Sequence, residues 1–520
     1  MSKKSMARAT LIVAILGILS KIMGFGREQL IAWFFGATGL TDAYLVALAI
    51  PTVLTGLISN PVSTAFLPVF ASYVARGDNK GASKVASSVI TLSVGTFLLV
   101  GIAARPLAPQ LVRLFAPGFS GIVFDSAVTL TRLFFPAFAL PLLAALYKVI
   151  LNSYKQFSIP GIGPFVQNLA IVALVILLAP TLGLPALAIA TIAGYLAHVL
   201  VQLPSVRKLG LDFKLSIEIN QGTRQVLNLS IPLMIGGLAT QLYTMIDKNL
   251  ASRLPSGSIA ALSFADRLRL LPMDLFVSAV ITVIYPSLSE MWAKRDSAGM
   301  GDTLLTGARY AMFVCIPAAL GLTVLAKPIV RLAFERGAFT PEATLLTAKA
   351  LSVYSFGIVA LALSRIVGVA FYSSQDTWRP VLLALGTSGL NIVLDILLVG
   401  PFGHTGLALA NVLASWAGAI MGIVLYVRHI SPVSLKELAQ SGSKILMSAG
   451  IMGAFAWVVA GYSGFLAGTG NLRTDLALAV IVVGGSVLVY LGAALVFRCE
   501  EILLITSIAK QKLGHSRKRI

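Results

Sequence analysis

The sequence is short of charged residues, cysteine and histidine, and each shortage excludes a class of protein. Only 12% of its 520 residues are Asp, Glu, Lys or Arg, whereas 57% are hydrophobic. A soluble globular chain carries roughly 25% charged residues, so this composition rules out a water-soluble protein. Two cysteines and four histidines leave no disulfide framework and too few ligands for a metal cluster.

Catalytic and nucleotide-binding signatures are also missing. We find no nucleophile–base pair, no phosphate-cradling glycine loop and no HExxH motif in the sequence, although the corresponding chemistries need such patterns. We also find no strand-like alternation, which a membrane β-barrel requires. The sequence therefore favours neither an ATPase nor a membrane enzyme.

What the sequence has instead is a series of apolar runs of about 20 residues, the length that crosses ~30 Å of hydrocarbon. They predict an all-α polytopic membrane protein with about 14 transmembrane helices. The predicted helices cover residues 9–35, 41–74, 82–104, 125–153, 160–181, 184–204, 225–252, 257–291, 303–326, 342–373, 379–400, 404–427, 442–465 and 474–498. We expect the prolines of the second and eighth helices to bend or interrupt them. The first run contains Lys21 and Arg27 and lacks a small-x-small cleavage site, so we interpret it as a retained helix rather than a signal peptide.

The chain has a large excess of positive charge. Forty Lys and Arg against 20 Asp and Glu give a formal net charge of +20. Most of these basic residues lie in short connections between apolar runs, where they orient a membrane protein and meet anionic lipid. We therefore expect both termini in the cytoplasm, contact with membrane lipids and no nucleic-acid partner.

The sequence contains an internal repeat. Residues 27–51 and 248–272 have the same length at an offset of 272 − 51 = 221, and residues 151–160 match 371–380 at an offset of 220. Helices 1–6 and 7–12 are thus two copies of one unit, the arrangement of transporters that alternate access around a central site. The predicted organisation is an N-lobe at 1–206, a cytoplasmic amphipathic linker at 207–224, a C-lobe at 225–430, two extra helices at 431–499 and a basic cytoplasmic tail at 500–520.

Charged residues also occur inside the predicted helices, where each costs at least about 2.5 kcal/mol and so faces a cavity or another charge. The basic ones are Lys21, Arg27, Arg132, Lys148, Lys248, Arg267, Arg269 and Arg365, and the acidic ones are Glu28, Asp42, Asp247, Asp266, Asp274 and Asp395. Structural ion pairing is one interpretation, and we expect it for Lys248 beside Asp247 and for Arg269 or Asp274. The set as a whole indicates a cationic cavity for an anionic substrate, with phosphate or pyrophosphate as the natural match.

A second group consists of oxygen donors. Asn391 and Asp395 share one face of the eleventh predicted helix because they are four residues apart, while Asp247 and Asn411 lie on the seventh and twelfth. Such donors suit a hard cation such as Na⁺. Hydrogen bonding between helices explains them equally well, so both interpretations stay open at this point.

Several motifs resemble the MurJ (MviN) family of lipid II flippases. They are SKIMGFGRE at 20–28, TDAY at 41–44, ADRL at 265–268, YPSLS at 285–289, FYSSQD at 371–376 and GLALA at 406–410. The resemblance covers helices 1–12, and it implies transport of an undecaprenyl-pyrophosphate-linked peptidoglycan precursor, lipid II, from the inner to the outer leaflet of the bacterial plasma membrane. It also implies that helices 13 and 14 form with the C-lobe a groove for the lipid tail.

The resemblance places functional residues on particular positions. It implies that Lys21, Arg27, Asp42 and Arg267 bind the substrate. We add to the predicted substrate-binding set Arg365, one of the intramembrane charges, and Ser20, the first residue of the motif at 20–28. The implied sodium ligands are Asp247, Asn391, Asp395, Asn411 and the carbonyl of Leu407. We expect no other cofactor, no enzymatic activity, a monomer, and transport driven by the membrane potential or an ion gradient. The alternatives are a flippase for another polyprenyl-linked oligosaccharide, a MATE-like exporter of small molecules and a scaffold that transports nothing.

Overall fold

The computed structural model describes residues 3–502, apart from the side chains of residues 3–14 and 239. Within that range the chain is helical and contains no strand. The helices are α1 (Lys3–Phe35), α2 (Gly39–Ala75), α3 (Asn79–Ala104), α4 (Ala108–Phe115), α5 (Gly121–Ala137), α6 (Ala139–Ser153), α7 (Ser158–Leu182), α8 (Pro185–Arg207), α9 (Gln221–Ala251), α10 (Ser258–Pro272), α11 (Ser278–Ala293), α12 (Ser297–Val324), α13 (Ala326–Phe334), α14 (Pro341–Ser355), α15 (Ile358–Ser373), α16 (Trp378–Phe402), α17 (His404–His429), α18 (Leu435–Tyr462) and α19 (Leu472–Val496).

The all-α polytopic fold predicted from the apolar runs is confirmed. Twelve stretches of the described residues are long and apolar enough to cross a membrane, and the pair α14 and α15, bent by 46°, makes a thirteenth. The first predicted span, 9–35, falls on α1, and the side chains of its residues 9–14 lie outside the described ones. The short helices α4 and α13 were not predicted, because each is too short to cross a bilayer.

The prolines act differently in the two helices where we expected a break. After Pro272 the chain forms a π-helical turn at Met273–Val277 before α11 begins, so that expectation is confirmed. Helix α2 continues without interruption through Pro51, Pro61 and Pro68, and α11 through Pro286, so these prolines do not interrupt their helices, and a bend at them stays a prediction. A proline removes one backbone donor only, and neighbouring helices in a membrane protein tolerate this.

The internal repeat extends to backbone conformation. Gly36 and Gly257 both have positive φ, 64° and 88°, at an offset of 257 − 36 = 221. Gly183 lies between α7 and α8, and Gly403 lies between the equivalent helices α16 and α17. Their φ angles are 60° and 56°, at an offset of 403 − 183 = 220. The left-handed region favours glycine, so both copies place glycine at the same turns.

Helix breaks and helix caps repeat as well. The short helix α4 corresponds to α13, and the break between α5 and α6 corresponds to that between α14 and α15. Asp78 accepts a hydrogen bond from the backbone N–H of Gly81 at 2.8 Å to cap α3, and Asp296 does the same for α12 through Gly299. The two copies therefore have the same local structure, as the sequence repeat predicted.

The described chain packs as two compact units. Unit 1 runs to Ala260 and includes Arg336–Thr340, and unit 2 comprises Ala261–Glu335 and the chain from Pro341 onwards. Helix α9 packs against α2 in unit 1, so this packing boundary differs from the repeat boundary at 206–225. The lobes 1–206 and 225–430 stay a prediction about the repeat.

In unit 2, two arginines attach the extra helices α18 and α19. At one end of α19, Arg309 donates to Glu501 at 2.7 Å and to Glu500 at 2.6 Å. At the other end, Arg331 lies 3.5 Å from Asp475 and donates to the carbonyl of Phe465 at 2.6 Å. Both ends of the helix pair are therefore held by charge-assisted contacts. The predicted tail overlaps the described chain only at residues 500–502, and 503–520 lie outside it.

Candidate substrate and cation sites

Arg27 is held in place by two neighbours in unit 1. Its Nη2 donates to Glu28 Oε1 at 2.7 Å, and its Nη1 donates to Asn168 Oδ1 on α7 at 3.2 Å. Arg27 retains 23% of its side-chain exposure, whereas Glu28 is buried. A guanidinium that is oriented but still accessible is suited to bind an anion.

The neighbouring predicted residues differ in what they present. Lys21 is exposed on α1. The backbone carbonyl of Ser20, and not its hydroxyl, accepts a hydrogen bond from Asn168 Nδ2 at 3.3 Å. Asn168, which lies 148 residues from Ser20, was missed by sequence reasoning, because an Asn within an apolar run carries no signal of its partner.

Asp42 caps a helix other than its own. Its carboxylate is buried and accepts hydrogen bonds from the backbone N–H groups of Gly257 and Ala260, both at 2.7 Å. These belong to the beginning of α10, where Gly257 has no side chain with which to cap the helix. Buried N–H groups at a helix N-terminus need such an acceptor. The resemblance places Asp42 in the substrate-binding set, whereas its hydrogen bonds in the structure are those of a helix cap.

Close backbone contacts surround this cap within unit 1. A methyl group added at Gly257 would lie 2.1 Å from the carbonyl oxygen of Ala37, and one at Gly36 would lie 2.3 Å from that of Ala338. The N–H of Ala338 donates to the carbonyl of Trp33 at 2.7 Å. Only glycine permits this approach, so the first turn of α10 is fitted tightly against the end of α1.

The two arginines of α10 have opposite environments in unit 2. Arg267 is exposed. Arg269 is buried, donates to Asp266 at 2.6 Å and to Asn411 Oδ1 at 2.9 Å, and lies 4.2 Å from the ring centroid of Tyr354. The predicted structural role of Arg269 is thus confirmed, and Arg267 is the residue of α10 whose side chain is accessible.

Several other intramembrane charges are paired. Arg365 and Asp274 lie 3.5 Å apart and are both partly exposed, and the expected pair of Lys248 and Asp247 lies at 3.8 Å. Arg132 is exposed and donates to the carbonyl of Arg105 at 3.3 Å, just after α3 ends. A helix C-terminus favours such a cation, so Arg132 belongs to a helix end and not to a cavity.

Helix α16 buries polar residues and exposes apolar ones. Asn391 and Asp395 are the only buried residues of this helix, all of whose residues the structure describes. Asn391 Oδ1 has no hydrogen-bond partner among the described residues. A buried carboxylate and a buried amide oxygen one turn apart are donors that a cation can use.

The other copy of the repeat shows that the fold does not need this polarity. With the local offset of 220, Asn391 corresponds to residue 391 − 220 = 171 and Asp395 to residue 395 − 220 = 175. These are Ile171 and Val175, and both are buried. Since apolar residues serve the packing of α7, the polar pair of α16 indicates a function beyond folding.

One of the remaining predicted cation ligands already accepts a hydrogen bond from another side chain. Asn411 Oδ1 accepts the hydrogen bond from Arg269, and Leu407 is buried on the same helix. Asp247 belongs to unit 1 and the other four residues to unit 2, so their convergence stays a prediction. Among the described residues, no three His, Cys, Asp or Glu side chains form a metal-binding group.

Unit 2 also contains two cavities, one of them beside α18, the thirteenth predicted helix, where the resemblance implies a groove for the lipid tail. One, of about 750 Å³, is lined by Tyr285, Trp292, Arg295 and Tyr372 among others. The second is a groove of about 480 Å³ whose lining is almost wholly apolar, including Met312, Phe356, Leu363, Trp416 and Ile420. Neither has a predicted site residue among its described lining residues.

The repeated helical units, the apolar spans and the oriented intramembrane charges define a multi-pass membrane transporter. Its fold is shared with an inward-facing multidrug resistance MATE transporter of the MOP superfamily, at a TM-score of 0.67 and 13% identity over 83% of this chain and 99% of that one. The chain belongs to the family described as "Lipid II flippase MurJ", whose model matches residues 31–494.

Individual relatives agree with this assignment. The chain is 33% identical over 463 residues to the lipid II flippase MurJ of Burkholderia cenocepacia, covering 86% of this chain and 89% of that one. It is 30% identical to the probable lipid II flippase MurJ of Vibrio cholerae, covering 87% and 89%. A solved structure of lipid II flippase MurJ in an inward closed conformation matches 94% of this chain and 99% of its own, at a TM-score of 0.79 and 26% identity.

Proposed function

We propose that this protein moves lipid II, the undecaprenyl-pyrophosphate-linked peptidoglycan precursor, from the inner to the outer leaflet of the bacterial plasma membrane. The observation that carries the proposal is membership of the MurJ family over residues 31–494. It is supported by an oriented, accessible guanidinium at Arg27, since an anionic head group is what such a residue binds. The protein moves its substrate without a chemical step and acts as a monomer, with both termini in the cytoplasm.

The head group is held by fixed positive charge. Arg27 and Arg267 bind the pyrophosphate, and Lys21, Arg365 and Ser20 add polar contacts around it. The ion pair with Asp274 keeps Arg365 partly neutralised, so we assign the larger share of the binding free energy to Arg27 and Arg267. Losing one desolvated charge contact costs about 2–5 kcal/mol.

The lipid tail stays in an apolar environment. The groove lined by Phe356, Trp416 and residues of α18 has the composition that a polyprenyl chain requires. Moving the head group while the tail remains in the bilayer avoids transferring the long apolar chain through water. The head group therefore binds at a cationic site, and the tail lies in an apolar groove.

Transport is driven by the membrane potential or an ion gradient, and Na⁺ is the proposed coupling ion. Asn391 and Asp395 fit it, since both are buried oxygen donors on one face of α16; Asp247, the Leu407 carbonyl and Asn411 complete the proposed set. Bound Na⁺ would supply the positive charge that a buried carboxylate needs. For Asn411 to take part, its oxygen must release Arg269.

The test is rescue of a bacterium whose own lipid II flippase is depleted. The parent chain is expected to restore growth, whereas Arg27→Ala and Arg267→Ala are expected to fail while still inserting in the membrane. Arg132→Ala is the matched control, because this exposed arginine donates to the backbone carbonyl of Arg105 at a helix end, and it is expected to rescue fully.

Two outcomes would contradict the proposal. Absence of rescue by the well-inserted parent chain, together with translocation of a different polyprenyl-linked glycan in liposomes, would reassign the substrate. Normal growth of both arginine variants at native expression would remove these residues from the site.

A further inference from the structure

The connection between α8 and α9 has an unusual sequence and conformation. From Leu211 to Asn220 apolar and polar residues alternate strictly (LDFKLSIEIN), and none of these residues is helical. Sequence reasoning had expected an amphipathic segment here but overlooked the period of two, which is typical of extended chain.

A ladder of hydroxyl groups on α3 fixes this extended segment. The backbone N–H groups of Asp212, Lys214 and Ser216 donate to Ser83 Oγ at 3.2 Å, Ser87 Oγ at 3.1 Å and Thr91 Oγ1 at 3.2 Å. The spacings match, because two extended residues advance about 6.6 Å and four helical residues advance about 6 Å. The segment therefore runs along α3 from Asp212 to Ser216, with alternate N–H groups bonded to α3.

The apolar face of the segment is covered at Leu211 and uncovered from Leu215 onwards. Leu215 is 94% exposed, Ile217 80% and Ile219 60%. Large aliphatic side chains exposed to this degree in one row indicate a surface that another apolar phase contacts.

The position along α3 identifies that phase. The last charge of α3 before its apolar run is Lys84, and residues 85–104 carry none. Thr91 is six residues into this run, so Ser216, which bonds it, lies about 9 Å below the start of the run. Amphipathic interfacial segments bury their apolar face about 5–10 Å into the boundary between head groups and acyl chains.

Charge at the ends of the segment agrees with a membrane surface. Arg207 and Lys208 precede it and Arg224 follows it, whereas Lys214 within it forms an ion pair with Asp212 at 2.8 Å. The N–H groups of the odd-numbered residues face away from the ladder, since alternate residues of an extended chain point to opposite sides. These N–H groups need water or phosphate as acceptors, so the backbone of the segment stays in the head-group region.

We propose that residues 211–220 form a membrane-embedded extended segment, whose Leu215, Ile217 and Ile219 enter the leaflet at which α8 ends and whose basic neighbours bind anionic phospholipid there. In the proposed topology this is the cytoplasmic leaflet. The surface is separate from the head-group site, so it gives the protein a lipid contact at the junction of its two repeats.

The test is depth measurement in nanodiscs containing phosphatidylglycerol and phosphatidylethanolamine. Single cysteines are introduced as Leu215→Cys and Ile217→Cys, with Asp212→Cys and Glu218→Cys as controls on the polar face, and labelled with an environment-sensitive fluorophore. The native cysteines are both buried, so the added one is the reactive group. Labels at 215 and 217 are expected to be quenched by shallow spin-labelled lipid and protected from aqueous iodide. Labels at 212 and 218 are expected to be quenched by iodide and not by the spin-labelled lipid.

Equal iodide quenching at all four positions would overturn the proposal and would favour a protein partner for this face. In nanodiscs of phosphatidylcholine alone, lipid quenching at 215 and 217 is expected to decrease, because the anionic head groups are missing; unchanged quenching would refute the anionic preference.

The ladder has its own test by hydrogen exchange. Ser87→Ala combined with Thr91→Ala is expected to raise amide exchange at Lys214 and Ser216 by about twofold to tenfold, the value of one hydrogen bond each. Thr96→Ala, on the exposed side of the same helix, is the matched control. No change in the double variant would refute the ladder.

Discussion

Replacing Asp42 tests the unusual cap of α10 and its role in transport. In Asp42→Ala two buried backbone donors, those of Gly257 and Ala260, lose acceptors at 2.7 Å. Hydrogen bonds to a charged group contribute about 1.5–3 kcal/mol each, so about 3–6 kcal/mol of local stability is lost. At a factor of ten per 1.4 kcal/mol, the two amides should exchange at least ~100-fold faster.

Asp42→Asn separates charge from hydrogen bonding. The amide oxygen accepts from one donor, while the NH₂ group cannot accept from the other. We therefore expect roughly half of the loss seen in Asp42→Ala, and a correspondingly smaller increase in exchange.

Asp296→Ala is the matched control for the assay. Asp296 also caps a helix, but it accepts a single bond in an exposed position, and the expected loss is about 1 kcal/mol. Amide exchange of the purified protein in nanodiscs gives the stability result, and rescue of a flippase-depleted strain gives the functional one.

The reasoning is refuted if Asp42→Ala leaves exchange at Gly257 and Ala260 unchanged. If exchange rises as expected but Asp42→Asn and Asp42→Ala both rescue growth fully, the cap is structural only and Asp42 does not belong to the substrate-binding set.

Two further predictions concern unit 2. The first replaces Asn391 by Ile and Asp395 by Val, the residues of the other repeat copy; folding should be retained, because buried apolar side chains pack well at these positions of that copy. Any dependence of thermal stability and transport on Na⁺ over K⁺ should vanish. A retained Na⁺ response would exclude the pair as ligands. The second concerns Arg309→Ala, which should destabilise the attachment of α19 by about 3–5 kcal/mol, because it leaves the buried Glu501 without this partner. Glu500→Ala removes the exposed partner and should cost less than about 1 kcal/mol. Equal shifts of the two variants in thermal denaturation would contradict this difference. The hydrogen bond from Arg309 lowers the pKa of Glu500, so that contact stabilises at neutral pH and is lost as the pH falls through the lowered value.

Hydrophobic length and repetition were readable from the sequence alone. A span needs about 20 apolar residues wherever it occurs, so each predicted helix falls on observed helices. The short helices α4 and α13 and the breaks at α5–α6 and α14–α15 were not predicted. The offset of 221 between Gly36 and Gly257 appeared in the sequence before their shared φ was known. The six motifs from 20–28 to 406–410, taken together, were sufficient to indicate the family.

The partners of the polar residues depended on the tertiary structure. Asp42 bonds a donor 215 residues away, and Arg269 bonds Asn411 142 residues away; neither distance leaves a local pattern. Burial also distinguishes two arginines of α10: Arg269 is buried and packed among its partners, whereas Arg267, two residues earlier, is exposed. A charge inside a membrane helix is costly in any context, so the sequence reveals that it must be satisfied, but only the packed helices determine whether a neighbour or a substrate satisfies it.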